Sequence, residues 1–236
     1  MKPFAILALM IGLLTTAAVP QTASPGNTVT ADVKLSPADR QRTPKDMSET
    51  VLWLVPVGDD FTPATVNDKH FRMAQKDKKF EPNLLVVPVG SYVDFPNLDP
   101  WFHNVFSLFQ GKRFDLGLYQ AGAQKAVRFE KPGVSYLFCN IHPEMSAVIL
   151  SVESRWYGIS DRSGHVSISG IPAGKYQVHA WREDAVAGSL KVADRVIEVG
   201  GDKSLGTITL TVQPGTHGHK NKYGKDYDSD ALKPDY

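Results

Sequence analysis

Seven consecutive residues, Cys139-Asn140-Ile141-His142-Pro143-Glu144-Met145, bring a thiol, an imidazole and a thioether into one short stretch. These are soft donors, and as a set they suit copper far better than calcium or magnesium, which prefer oxygen. Three positions separate Cys139 from His142 and three more lead to Met145, so a tight loop can aim all three side chains at one point. A trigonal site of two imidazoles and a thiolate with a weak axial Met needs one further imidazole, supplied by a neighbouring segment. His103, in Asn97-Leu98-Asp99-Pro100-Trp101-Phe102-His103-Asn104, is the candidate. Taken singly, each residue has a plainer reading: Cys139 as a small buried hydrophobe at a strand end, the histidines as hydrogen-bonded loop or core residues, Met145 as core filling. Taken together, the four point to copper.

The rest of the composition narrows the alternatives. Cys139 is the one cysteine of 236 residues, which excludes an intrachain disulfide. Lys and Arg number 26 against 25 Asp and Glu, a balance that gives no reason to expect nucleic acid as a partner. His165 and His179 read as structural or surface residues, His217-Gly218-His219 as a chance pair in a polar tail, and His70 near Met73 as too little for a second site. No Ser-His-Asp order, carboxylate pair or Gly-rich phosphate loop stands in a supporting context.

The elements that must position the ligands read as strands. With 19 Gly and 16 Pro the chain is turn-rich. Short β-branched and aromatic runs follow one another at Asn83 to Val89, Ser91 to Phe95, Val105 to Leu108, Lys125 to Glu130, Val134 to Cys139 and Ser146 to Glu153, with no amphipathic helix longer than two turns. Asp59 to Lys79 reads as polar and irregular. The stretch from about Asn83 to Val152 resembles a cupredoxin, a small blue-copper β-sandwich of Greek-key type. The matching features are Val93-Asp94-Phe95-Pro96-Asn97 followed by His103-Asn104-Val105, then Tyr136-Leu137-Phe138-Cys139 leading into Cys-x-x-His-Pro-x-Met. The short ligand loop is similar to that of amicyanin-like, methylamine-utilisation-type members. The resemblance implies His103, Cys139 and His142 as equatorial ligands of one copper ion cycling between Cu(I) and Cu(II), with Met145 axial. It implies Asn104 as the residue whose side chain ties the two ligand loops together, and Trp101, Phe102 and Pro143 as a docking patch around the edge of His142. It also implies one-electron transfer rather than catalysis.

The ends of the chain set the context. Met1-Lys2, an apolar run from Phe4 to Leu14 and the small residues Thr15 to Ala18 read as a secretory signal peptide, too short for the roughly 20 residues of a membrane span. The expectation is a periplasmic or secreted protein with an exported redox partner such as a dehydrogenase or cytochrome, no nucleic acid and no membrane span. A carrier or sequestering protein using the same copper ligands, and a non-redox β-sandwich interaction module, are the alternatives. A second strand series runs from His165 to Val212. Within it, Asp161-x-x-Gly164 and Pro172-x-Gly174-x-Tyr176 resemble the carboxypeptidase regulatory-like, transthyretin-like sandwich, where Gly and Pro set the turns. The expected fold is therefore all-β with two sandwiches. Residues 1–18 are the signal, 19–30 a flexible lead-in, 31–60 a strand pair completing the second sandwich, 61–153 the copper domain, 154–212 the regulatory-like sandwich and 213–236 a disordered tail.

Overall fold

The computed structural model describes residues 26–39, 44–58, 68–108, 111–213, 221–223 and 225. The expected signal peptide and His217-Gly218-His219 lie outside the described residues. In chain order the first strands are β1 (Asn27–Pro37) and β2 (Val51–Pro56). Ten more follow before Glu153: β3 (His70–Arg72), β4 (Ala74–Lys76), β5 (Lys79–Glu81), β6 (Leu84–Pro88), β7 (Tyr92–Pro96), β8 (His103–Ser107), β9 (Phe114–Tyr119), β10 (Gln124–Arg128), β11 (Gly133–Phe138) and β12 (Ser146–Val152). The last are β13 (Tyr157–Ile159), β14 (His165–Ile171), β15 (Gly174–Trp181), β16 (Arg195–Val199) and β17 (Lys203–Val212), with one four-residue helix, α1 (Ala187–Leu190), between β15 and β16. The chain is all-β, as its pattern of short apolar runs and turn residues predicts.

β1 and β2 pair with strands from the far end of the chain. β1 lies between β14 and β17, and β2 lies between β13 and β15, with β16 at the edge beyond β15. Strict alternation along β1 sends Val29, Ala31, Val33 and Leu35 inward to meet Leu52 and Leu54 of β2, Ile168 of β14 and Ile208 and Leu210 of β17. This period of two, with one face in the core and the other in water, is what makes the segment a strand. The turn signature does its expected work. Asp161 Oδ1 accepts the N–H groups of Ser163 and His165, while Gly164 has φ +91°. The Tyr176 hydroxyl donates to the Pro172 carbonyl at 2.9 Å, and its ring meets Trp156 edge-on.

The middle strands make a second core. One sheet is β10-β7-β3 and the facing one β6-β12-β11-β8-β9; between them pack Val93, Phe95, Val105, Phe129, Leu137 and Ile149, with Cys139 and Met145 at one end. β12 is buried along almost its whole length. Ala147 and Ile149 face this core, whereas Leu150 and Val152 join Val51 and Val86 in a third apolar cluster that includes Trp53 and Trp181.

Three expectations need correction. The segment from Asp59 to Lys79 is not irregular throughout, because β3, β4 and the start of β5 fall within it. Its strands are only three residues long, below the length at which alternation shows. The lead-in expected to be flexible is already β1 from Asn27, whose partner is Ile171. The tail is not wholly solvated, since Asn221 to Tyr223 hydrogen-bond to each other and to the middle sheet. No helix among the described residues is long and apolar enough to cross a membrane.

Candidate metal centre

His103 opens β8, Cys139 follows the last residue of β11, and His142 lies on the loop between β11 and β12. β8 and β11 are paired neighbours through Phe106 and Phe138, which brings the two ligand segments to the same end of the sheet. The loop is closed on itself. Cys139 N–H donates to the Met145 carbonyl at 3.2 Å, and Met145 N–H donates to the His142 carbonyl at 3.1 Å. Three and three residues are thus enough to fold the thiol and the imidazole onto one point.

The donor atoms converge. His103 Nδ1 and His142 Nδ1 are 3.1 Å apart, and Cys139 Sγ lies 3.9 Å from the first and 3.6 Å from the second. This is the one grouping of at least three His, Cys, Asp or Glu donors among the described residues that could hold a metal ion. Bonds of about 2.0–2.1 Å to imidazole nitrogen and about 2.3 Å to thiolate sulfur would span roughly these separations around one cation. The triangle fits a soft metal.

Protonation supports the same reading. His103 Nε2 lies 2.7 Å from Asp99 Oδ2, both side chains being fully or almost fully buried. A carboxylate accepts only, so Nε2 is the donor to Asp99 and Nδ1 is the nitrogen directed at Cys139, where a metal would bind. Burial alone would push the Asp99 carboxyl up, but the N–H groups of Lys78 and Asp77 and the His103 ring outweigh it and hold the carboxyl below its usual range. Asp99 is itself anchored, its N–H donating to Asn97 Oδ1 at 3.0 Å. Burial and the neighbouring His103 push the His142 imidazolium down, favouring the neutral ligand form. Burial pushes the Cys139 thiol up, against the opposing effect of main-chain N–H groups from Asn104, Ile141 and His142.

The other sequence candidates fall as follows. Met145 is fully buried in the same apolar cluster as Cys139. The Asn104 side chain does not bond the Cys139 loop directly: Nδ2 donates to Asp115 Oδ1 of β9 at 2.7 Å, and it is the main-chain N–H that is directed at the thiol. Trp101 and Phe102 are exposed and Pro143 is half-buried; Leu98 and Leu118 add exposed apolar surface that sequence reading missed. Asp99 was also missed; it stands four residues ahead of His103 in a Pro-containing loop. His70 stacks on Tyr92 and bonds Asp94, while His165 and His179 bond Asp32 and Asp194, all near the surface.

No family model and no curated protein matches the chain. Among solved structures, a Cu-containing nitrite reductase (NirK) from Thermus scotoductus SA-01 is 25% identical over 42% of this chain and 25% of its own, with a TM-score of 0.34. The chain thus spans a quarter of that reductase. A purple cupredoxin from Nitrosopumilus maritimus is 24% identical over 34% of this chain and 98% of its own, TM-score 0.32. A reduced amicyanin carrying a tryptophan-to-tyrosine substitution is 21% identical over 43% of this chain and 98% of its own, TM-score 0.34.

Proposed function

We propose that the protein is an exported mononuclear copper protein of the cupredoxin kind whose task is one-electron transfer. The observation that carries this reading is the triangle of His103 Nδ1, His142 Nδ1 and Cys139 Sγ, with His103 already oriented by Asp99. Bound copper would supply a Cu(II)/Cu(I) couple. Cys139, His103 and His142 would hold the ion, with the thiolate as its strongest donor, and the buried Met145 would add a weak thioether donor. Electron transfer favours ligands that move little between oxidation states. The main-chain bonds within the Cys139 loop and the buried Asp99 contact meet that need.

His142 is the half-exposed member of the set, so its ring edge would serve as the electron port. Trp101, Phe102 and Pro143, joined by Leu98 and Leu118, would form an apolar surface for transient docking. The partner class is an exported dehydrogenase or cytochrome, and the compartment the periplasm or the exterior, in keeping with the Phe4 to Leu14 run. In this reading the copper sandwich is inserted into the regulatory-like one, supported by the pairing of β1 and β2 with strands that follow it.

The test is redox cycling with metal retained. Copper-loaded protein is reduced and reoxidised by small-molecule mediators, then desalted. Full copper retention over repeated cycles is the expected result. Loss of Cu(I) to a competing chelator in the reduced state would favour copper carriage instead.

A further inference from the structure

We infer that Lys222, in the C-terminal tail, is a positioning residue of the metal centre, clasping together the two chain segments that carry its ligands. The side chain of Asn104, beside His103, reaches only as far as Asp115, whose Oδ1 it shares with the N–H of Gly117. The other oxygen of Asp115 accepts the Lys222 ammonium at 2.8 Å, and the main-chain N–H of Lys222 donates to Asn140 Oδ1 at 3.0 Å. Asn140 follows Cys139 directly. A continuous chain of bonds therefore runs from Asn104 through Asp115 and Lys222 to Asn140, from one ligand segment to the other.

The tail is shaped for this contact. Asn221 Oδ1 accepts the N–H groups of Tyr223 and Lys225, and Asn221 N–H donates to the Lys225 carbonyl. This side-chain-to-backbone turn holds Lys222 at its apex. Both functional groups of that residue point back at the sheet. The ion pair is partly shielded, with side-chain exposures of 23% for Lys222 and 39% for Asp115. The Asp115 carboxylate holds the Lys222 ammonium above the usual lysine range, and the Asp115 carboxyl in turn lies below its own despite partial burial.

This inference rests on the copper reading only for what the loops hold; the clasp itself is testable without metal. Amide hydrogen exchange of the loop from Cys139 to Met145 is followed in the metal-free wild type, in Lys222→Met, and in a chain ending at Gln213. The loop is expected to exchange about threefold faster in Lys222→Met and about tenfold faster in the shortened chain, with protection of β1, β14 and β17 unchanged. Lys222→Arg should restore most of the protection, and Lys112→Met, which removes a surface pair with Glu130, should leave the loop as in wild type. Unchanged loop exchange in Lys222→Met overturns the inference, even where the shortened chain fails to fold. Copper escape into a chelator is expected to accelerate in parallel. A wild type that binds no copper would refute the proposed function while leaving the exchange result standing.

Discussion

At the scale of residues, the centre depends on which proton sits where. Asp99 orients the His103 ring from a buried position, 2.7 Å from its Nε2. Asp99→Asn keeps the shape but turns an amide NH2 toward at least one of the N–H groups that the carboxylate accepts, and should weaken copper affinity about 10–100-fold and also lower the melting temperature. Competition titration against a chelator measures it; unaltered affinity would show that the contact does not orient the ligand. Cys139 supplies a second expectation. Because burial pushes its thiol up, the metal-free protein carries a protonated sulfur at neutral pH, and copper uptake should release about one proton. Calorimetry in buffers of different ionisation enthalpy reads this number, and Cys139→Ser should abolish it. The ligand types and their spacing were legible in the sequence because soft donors are rare and the loop is short. Asp99 was not, because an acidic residue in a Pro-containing loop ordinarily reads as a solvated turn.

At the scale of elements, alternation in β1 and the β-branched and aromatic runs of β2 and β14 to β17 were legible, whereas β3, β4, β5 and β13 are too short to show any period. β12 is instructive. Its unbroken run Ala147-Val148-Ile149-Leu150 is the pattern of a strand covered on both sides, since alternate residues serve different apolar clusters. Which surface covers its outer side could not be read from the strand itself. Turn chemistry was legible and carries its own test. Gly164 has φ +91°, its N–H donates to the Asp161 carbonyl, and a Cβ there would collide with the Val33 carbonyl oxygen of β1. Gly164→Ala should therefore destabilise the outer sandwich by more than about 1 kcal/mol, seen as a lowered melting temperature. A melting curve identical to wild type would mean that β1 and this turn are not held together as described.

At the scale of the whole molecule, the chain threads one core, builds a second, and returns to finish the first. The cluster around Val51, Val86, Leu150 and Val152 joins the two across an apolar seam, which is where Trp53 and Trp181 lie. Limited proteolysis that releases a fragment from about residue 60 to 153 should leave the flanking parts associated with one another. Flanks that separate freely after cleavage would argue against the inserted arrangement. The returning path was legible in outline, because Asp161-x-x-Gly164 and Pro172-x-Gly174-x-Tyr176 mark a separate sandwich lacking its first strands. The role of the tail was not, since its four Lys and four Asp follow no period that would distinguish a clasp from solvated chain. Everything proposed about function rests on whether the triangle of His103, His142 and Cys139 takes up copper through the thiolate. The direct measurement is the visible spectrum of the purified protein after one equivalent of Cu(II). An intense thiolate-to-copper charge-transfer band, absent in Cys139→Ser, is the expected result; a colourless wild type, or a band that survives Cys139→Ser, would contradict it.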